Sequence, residues 1–281
     1  MTRRSLLHSS FAASLAAAAT PAPAAAQSAK KAKYKQAITR GVLRKMDFEA
    51  ACKMAADNGV KGFDLVGEKD YPILKKYGLV PSMVPGGSGL RDGINHLDQH
   101  ARIEPLMRQA IDWAASVGAP NVIVLSGERK GIEDWRGLDN CVTFYNKIKA
   151  QAEDKQVTLA MELLNSKVNH PDYQCDRTWW GIEVCKRVAS PRVRLLYDIY
   201  HMQIMEGDVI RTIREQHQWF AHYHTAGNPG RHELNDQQEL FYPAIARAIA
   251  ETGVTGFVAH EYTPLGDPEA GLKQAMQAFD V

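Results

Sequence analysis

The chain has 281 residues, 45% of them apolar, and carries 34 basic against 32 acidic side chains for a net charge of +2. That length and apolar fraction suit one large domain with a filled core, and the near balance of charge gives no global pull toward nucleic acid. The four cysteines, Cys52, Cys141, Cys175 and Cys185, form no CxxC pair, which weighs against a zinc cage or a thioredoxin-like motif.

The N-terminus reads as a leader rather than as part of the fold. Thr2-Arg3-Arg4-Ser5-Leu6-Leu7 is a twin-arginine start, Phe11 to Ala19 is a short Ala-rich apolar stretch, and Ala24-Ala25-Ala26 offers a small-residue cleavage site before Gln27. Residues 1–26 are therefore expected to be a twin-arginine signal peptide, 27–35 a basic flexible tail, and 36–281 the folded domain. The apolar stretch is too short to span a bilayer, so the expected location is the periplasm, with no membrane association once the signal is cleaved. An oxidising compartment permits disulfides, and Cys175 and Cys185 are near enough in sequence to pair. Cys52 and Cys141 lie on amphipathic patterns and read as buried thiols.

Along the rest of the chain, strand and helix patterns alternate. Residues 36–39 predict a strand and 48–58 a helix stopped by Gly59. Strand 62–65, helix 71–77 and strand 79–84 follow, the last running into the loop Pro85-Gly86-Gly87-Ser88-Gly89. Residues 97–117 form a long helical pattern closed by Gly118, and 121–125 are β-branched and strand-like. Helix 135–154 precedes strand 157–162, helix 178–188 precedes strand 193–198, and helix 209–215 precedes strand 219–224. Helix 240–252, strand 256–260 and helix 269–279 complete the chain. Eight strand–helix pairs in order predict a single (β/α)8 TIM barrel, whose strands are parallel and covered by helices.

Four of these apolar runs end in a residue able to bind a divalent cation. VTLAME ends at Glu162, VRLLYD at Asp198, WFAHYH at His224 and GFVAHE at Glu261, 36, 26 and 37 positions apart by subtraction. In a parallel barrel the C-terminal strand ends meet at one face, so this spacing brings the four together. A lone carboxylate at a strand end usually caps a helix, and a lone His is usually a satisfied polar residue. Three unpaired carboxylates in one place would repel one another, however, and a cation cancels that repulsion. Two Glu, one Asp and one His make a mixed oxygen and nitrogen site suited to one Mn²⁺ or Mg²⁺.

The segments around these residues resemble a known family. Tyr197-Asp198-Ile199-Tyr200-His201-Met202-Gln203-Ile204-Met205-Glu206-Gly207-Asp208 is similar to the corresponding segment of hydroxypyruvate isomerases. So are Pro229-Gly230-Arg231-His232-Glu233, Glu162-Leu163-Leu164-Asn165-Ser166 with His170-Pro171-Asp172-Tyr173, and His260-Glu261-Tyr262-Thr263-Pro264. The wider group is the xylose isomerase-like barrels, which also hold ketose epimerases and inosose dehydratases. The resemblance implies a metal held by Glu162, Asp198, His224 and Glu261, with His201 and Arg231 on the substrate oxygens. Hydroxypyruvate isomerases usually carry glutamine where His224 stands, whereas the ketose epimerases carry histidine, which leaves the substrate open.

The expected activity is a metal-dependent isomerase or epimerase of a small carbohydrate or hydroxy-keto acid. Glu162 and Glu261 would be the acid–base pair that moves a proton through a cis-enediolate. Asn165 is a candidate to orient a substrate hydroxyl or to cap the next loop. Glu233 is a candidate to bind substrate or anchor Arg231, and Trp179 and Trp180 to wall the pocket or to pack as ordinary aromatics. A dehydratase using the same enediolate and a non-catalytic sugar-binding barrel are the alternatives. An abasic-site nuclease would need further His ligands and a basic face. The outer helices of such barrels often mediate dimers or tetramers, so a homo-oligomer is an expectation by analogy alone.

Overall fold

Short runs of β-branched and apolar residues pair side by side throughout the computed structural model, which describes residues 32–281. The proposed signal peptide and most of the proposed tail lie outside the described residues. The strands are β1 (Lys35–Thr39), β2 (Gly62–Asp64), β3 (Val80–Met83), β4 (Asn121–Val124), β5 (Thr158–Glu162), β6 (Val193–Asp198), β7 (Phe220–Thr225) and β8 (Phe257–His260). All their pairings are parallel, in the order β3-β2-β1-β8-β7-β6-β5-β4. The ends of this sheet meet at one parallel bridge, Val84 with Val122, so eight strands form a nearly closed barrel. Pro81, within β3, has no N–H to offer a neighbouring strand, and β3 is the strand at this seam.

Helices follow the strands in turn: α1 (Phe48–Asp57), α2 (Tyr71–Lys76), α3 (His100–Val117), α4 (Asp134–Asp154), α5 (Thr178–Val188), α6 (Ile199–Met205), α7 (Val209–Gln216), α8 (Tyr242–Glu251) and α9 (Pro268–Ala278). Several starts and stops have a local cause. Asp47 caps α1 by accepting from the Ala50 N–H, and Asp267 caps α9 by accepting from Ala270. Gly118 ends α3 in the left-handed conformation, with φ 71°. The long helix expected over residues 97–117 divides into a 3₁₀ turn, Leu97–Gln99, and α3. Among the described residues, no helix is long and apolar enough to cross a membrane.

The main core lies between the strands and the helices, where it gathers residues such as Val122, Leu159, Tyr197, Tyr223 and Ile249. The barrel interior carries only two small apolar groups. Met83, Ile123, Ala160 and Leu196 form one, and Ala37, Phe257 and Ala259 the other. The remaining interior is polar, which is where the site begins. All four cysteines are buried free thiols, so the Cys175–Cys185 pairing open from the sequence is not formed.

Candidate active site

The strand ends at one barrel face place the four ligand candidates together. Glu162 and Asp198 are the last residues of β5 and β6, His224 is the next to last of β7, and Glu261 directly follows β8. Asp198 pairs in register with His224. One donor atom from each of the four lies within 4.8 Å of the others, with Glu162, Asp198 and His224 buried and Glu261 partly so. His224 Nδ1 is 2.8 Å from Glu261 Oε2, 3.4 Å from Glu162 Oε1 and 3.9 Å from Asp198 Oδ2. Yet His224 Nδ1 and Glu261 Oε2 are both buried without a hydrogen bond of acceptable geometry. Three carboxylates and an imidazole lone pair aimed at one another, with two of their atoms orphaned, fit a divalent cation of oxygen and nitrogen preference.

The electrostatics agree with that fit. Burial, reinforced by Glu261, pushes the Asp198 carboxyl up to about 7 against the opposing pull of Arg231 and His224. Burial alone would lower His224, but the Glu261, Asp64 and Glu162 carboxylates hold it well above the usual imidazole range. Glu261 moves the other way. Its burial is outweighed by His224 and Arg231, which keep it below the ordinary carboxylate value.

Two further predicted residues stand beside the cluster. Arg231, in the β7–α8 loop, brings Nη2 to 2.8 Å from Glu261 Oε2 and 3.8 Å from Asp198 Oδ2. His201 sits in α6, a helix absent from the sequence reading. Asp198 caps that helix by accepting from the His201 N–H at 3.1 Å, so one side chain ends a strand and starts a helix. His201 Nδ1 receives the backbone N–H of Asn165 at 3.1 Å and its side-chain amide at 2.6 Å. A ring nitrogen that accepts leaves the proton on the other one. Nε2 is thus a donor, buried without a hydrogen-bond partner and 3.6 Å from Asp198 Oδ2. Burial, aided by Arg231, holds His201 well below its usual range and hence neutral.

Two of the candidates for substrate contact are engaged within the protein. Asn165 is fully buried, its oxygen accepting from the Val168 and Asn169 N–H groups and its nitrogen engaged by Asn169 and His201. It has no polar atom left for a substrate, so it caps its loop and orients His201. Glu233 Oε1 accepts from the Leu265 and Gly266 N–H groups, tying down the loop after β8 rather than Arg231. The aromatic pair is also elsewhere. Trp180 is buried and donates to Asp134, while Trp179 is half exposed and packs on Trp135 over an outer cleft of about 540 Å³ that shares no lining residue with the site. A cavity of about 220 Å³ that does adjoin the site is lined by Thr39, Arg40, Leu65, Arg231, Glu261 and Thr263.

Sequence reasoning missed the residues beneath His224. Asp64 at the end of β2 accepts from His222 Nε2 at 2.7 Å and from His224 Nε2 at 2.8 Å. Period-two alternation along β7 puts His222 and His224 on one face, a signal present in the sequence. Nothing in the three-residue strand Gly62-Phe63-Asp64 marks Asp64 in the same way.

A family model described as a xylose isomerase-like TIM barrel matches residues 52–280. The chain is 30% identical over 249 residues to the 2-oxo-tetronate isomerase of Haemophilus influenzae, covering 80% of this chain and 90% of that protein. It is 34% identical over 174 residues to the "Putative hydroxypyruvate isomerase" of Danio rerio, covering 58% of this chain and 61% of that protein. The match thus spans less than two thirds of the Danio rerio protein, and 65% of the human protein of that name. Among solved structures, an AP endonuclease, family 2, from Brucella melitensis aligns with TM-score 0.78 at 24% identity over 85% of this chain and 96% of that one, a likeness of fold. These curated relatives are isomerases by name. With its barrel, its clustered strand-end ligand candidates and a match over most of its length, this chain belongs to the xylose isomerase-like TIM barrel family.

Proposed function

We propose that this protein is a divalent-metal-dependent isomerase or epimerase, acting through an enediolate on a small hydroxy-carbonyl compound, either a 2-keto-3-hydroxy acid or an unphosphorylated ketose. One observation carries the reading: Glu162, Asp198, His224 and Glu261 offer donor atoms within 4.8 Å of one another at the face where barrel chemistry resides. The names of the Haemophilus influenzae and Danio rerio relatives support the reaction class. These four residues would hold Mn²⁺ or Mg²⁺, which when bound acts as a Lewis acid on the substrate carbonyl and orients it.

The remaining chemistry belongs to side chains. Glu162 and Glu261 approach from strands on either side of Asp198 and His224, so one removes the α-proton and the other serves the opposite face or the adjacent carbon. The His201 Nε2–H, neutral and without a partner, donates to a substrate oxygen. Arg231 balances the negative charge that develops as the proton leaves. Its ion pair with Glu261 keeps that carboxyl ionised and able to accept a proton. We also propose export through the twin-arginine leader, which cell fractionation of the full-length chain checks.

The test is proton exchange in deuterium oxide with Mn²⁺, run across unphosphorylated ketoses and 2-keto-3-hydroxy acids and followed by NMR and mass. Metal-dependent uptake of deuterium at the α-carbon without loss of water is expected. Loss of water would make the enzyme a dehydratase. Binding of a ketose that leaves its α-proton in place would make it a sugar-binding barrel.

A further inference from the structure

Beneath the other site residues lies a buried polar group of which the proposed chemistry uses only His224. Asp64, Ser82, His222 and His224 all have 0% exposure and stand inside the barrel on β2, β3 and β7. Asp64 Oδ2 meets His222 Nε2 at 2.7 Å and His224 Nε2 at 2.8 Å, and Oδ1 accepts from the Ser82 hydroxyl. Room for this arrangement depends on Gly62, where a Cβ would come within 2.7 Å of Ser82 Oγ.

Asp64, His222 and His224 have the residue types of a second cation site, but their contacts are well-formed hydrogen bonds. The 2.7 and 2.8 Å contacts have the geometry of hydrogen bonds between an N–H and a carboxylate, whereas the equally short approach of His224 Nδ1 to Glu261 Oε2 leaves both atoms without one. Asp64 is therefore an acceptor for three donors, which is what a carboxylate needs when it is buried this deeply.

The consequence concerns the proton on His224. A neutral imidazole carries one proton, and the three carboxylates facing Nδ1 all attract it to that nitrogen. A proton there blocks the lone pair that a metal requires. Only an acceptor behind the ring can hold the proton at Nε2, and Asp64 Oδ2 is placed to do so at 2.8 Å. We propose that Asp64 is the positioning residue of the metal centre, fixing the tautomer and the orientation of His224 so that Nδ1 faces Glu162, Asp198 and Glu261 as a free lone pair. Ser82 and His222 hold the Asp64 carboxylate itself in place. This role rests on the reading that those four residues bind a metal.

The experiment is calorimetric titration of the chelator-stripped full chain with Mn²⁺ alone, in four forms: wild type, Asp64→Asn, His224→Gln and the double variant. A glutamine at 224 offers an amide oxygen, which has no tautomer to set. In the wild-type background Asp64→Asn is expected to weaken Mn²⁺ binding by about 10–100-fold. In the His224→Gln background the same change should alter binding by no more than about 2-fold. The charge removed is the same in both, so the difference isolates the tautomer. An equal loss in both backgrounds overturns the proposal, because Asp64 would then act through charge or scaffold. Unchanged affinity in Asp64→Asn overturns it as well, while leaving the metal reading standing. Failure of the wild type to bind Mn²⁺ overturns the metal reading and the role of Asp64 with it. Should Asp64→Asn not fold, Ser82→Ala loosens Asp64 without deleting it. A loss of about 3-fold or more confined to the His224 background then supports the proposal, and an equal effect in both overturns it.

Discussion

The two halves of the barrel divide the labour unevenly. Strands β5 to β8 are four to six residues long and pair over four positions each, with one register shift at Leu195/Leu196, and each delivers one of Glu162, Asp198, His224 and Glu261 to the mouth. Strands β1 to β4 include the three-residue β2, the proline-bearing β3 and the seam bridged only at Val84 and Val122. Their contribution to the site comes from below, through Asp64 and Ser82. Beyond that shift, in-register pairing from Leu196 with His222 to Asp198 with His224 holds the proposed reacting groups at fixed separations, which is what positioned catalysis needs. The half that holds the seam and the shortest strand supplies support.

The sharpest way to break this comparison is to disarm the reactive half without unfolding it. Glu162→Gln and Glu261→Gln each keep side-chain volume and remove the ability to take a proton. Each is expected to lower metal-dependent deuterium exchange by about 10²–10⁴-fold or more, with the circular dichroism spectrum and melting temperature near those of the wild type. Full exchange in either variant would move the acid–base chemistry out of β5 and β8. A second, smaller effect follows from pH. His224 is raised and Asp198 sits at about 7, so both hold protons in the metal-free protein that a bound cation must displace. Mn²⁺ affinity should thus fall as pH falls, by about 10-fold per unit for the His224 proton and more steeply below 7 once Asp198 also protonates. Titrations at pH 6, 7 and 8 in buffers of different ionisation enthalpy check both the affinity and the protons released. A pH-independent affinity would mean that the cation is held elsewhere.

The reactive half was also the legible half. Each of its proposed ligands closes an apolar run, so hydrophobic pattern and chemistry point to the same position. The alternation of strands and helices was readable for the same reason, because buried parallel strands are nearly continuous apolar stretches. What escaped was short or doubly used. Helix α6 is seven residues long and begins on Asp198, which the pattern already assigned to a strand. Asp64 ends a strand too short to show any period, and its importance comes from β7, 158 residues away at His222. Asn165 and Glu233 lie near the motif, which leaves substrate contact and loop anchoring both open from the sequence. Which backbone N–H groups they satisfy is set by loop geometry, and no local pattern encodes that.

The smallest expected effect tests how finely the reactive half is tuned. Asn165 touches no predicted ligand, but its amide holds His201 Nδ1 at 2.6 Å and so helps keep the proton on Nε2. In Asn165→Ala the backbone N–H at 3.1 Å still reaches that nitrogen, so orientation is loosened rather than lost. A loss of one such hydrogen bond, about 0.5–1.5 kcal/mol, corresponds to roughly a 2–13-fold fall in kcat. Mn²⁺ affinity should not change, because His201 is not among the four metal-facing residues. Glu261→Gln, by contrast, should lower both exchange and Mn²⁺ binding. If Asn165→Ala weakened the metal as much as it slowed exchange, the loop after β5 would be shaping Glu162 and not His201. The donor assigned to the substrate oxygen would then have to be sought on Arg231.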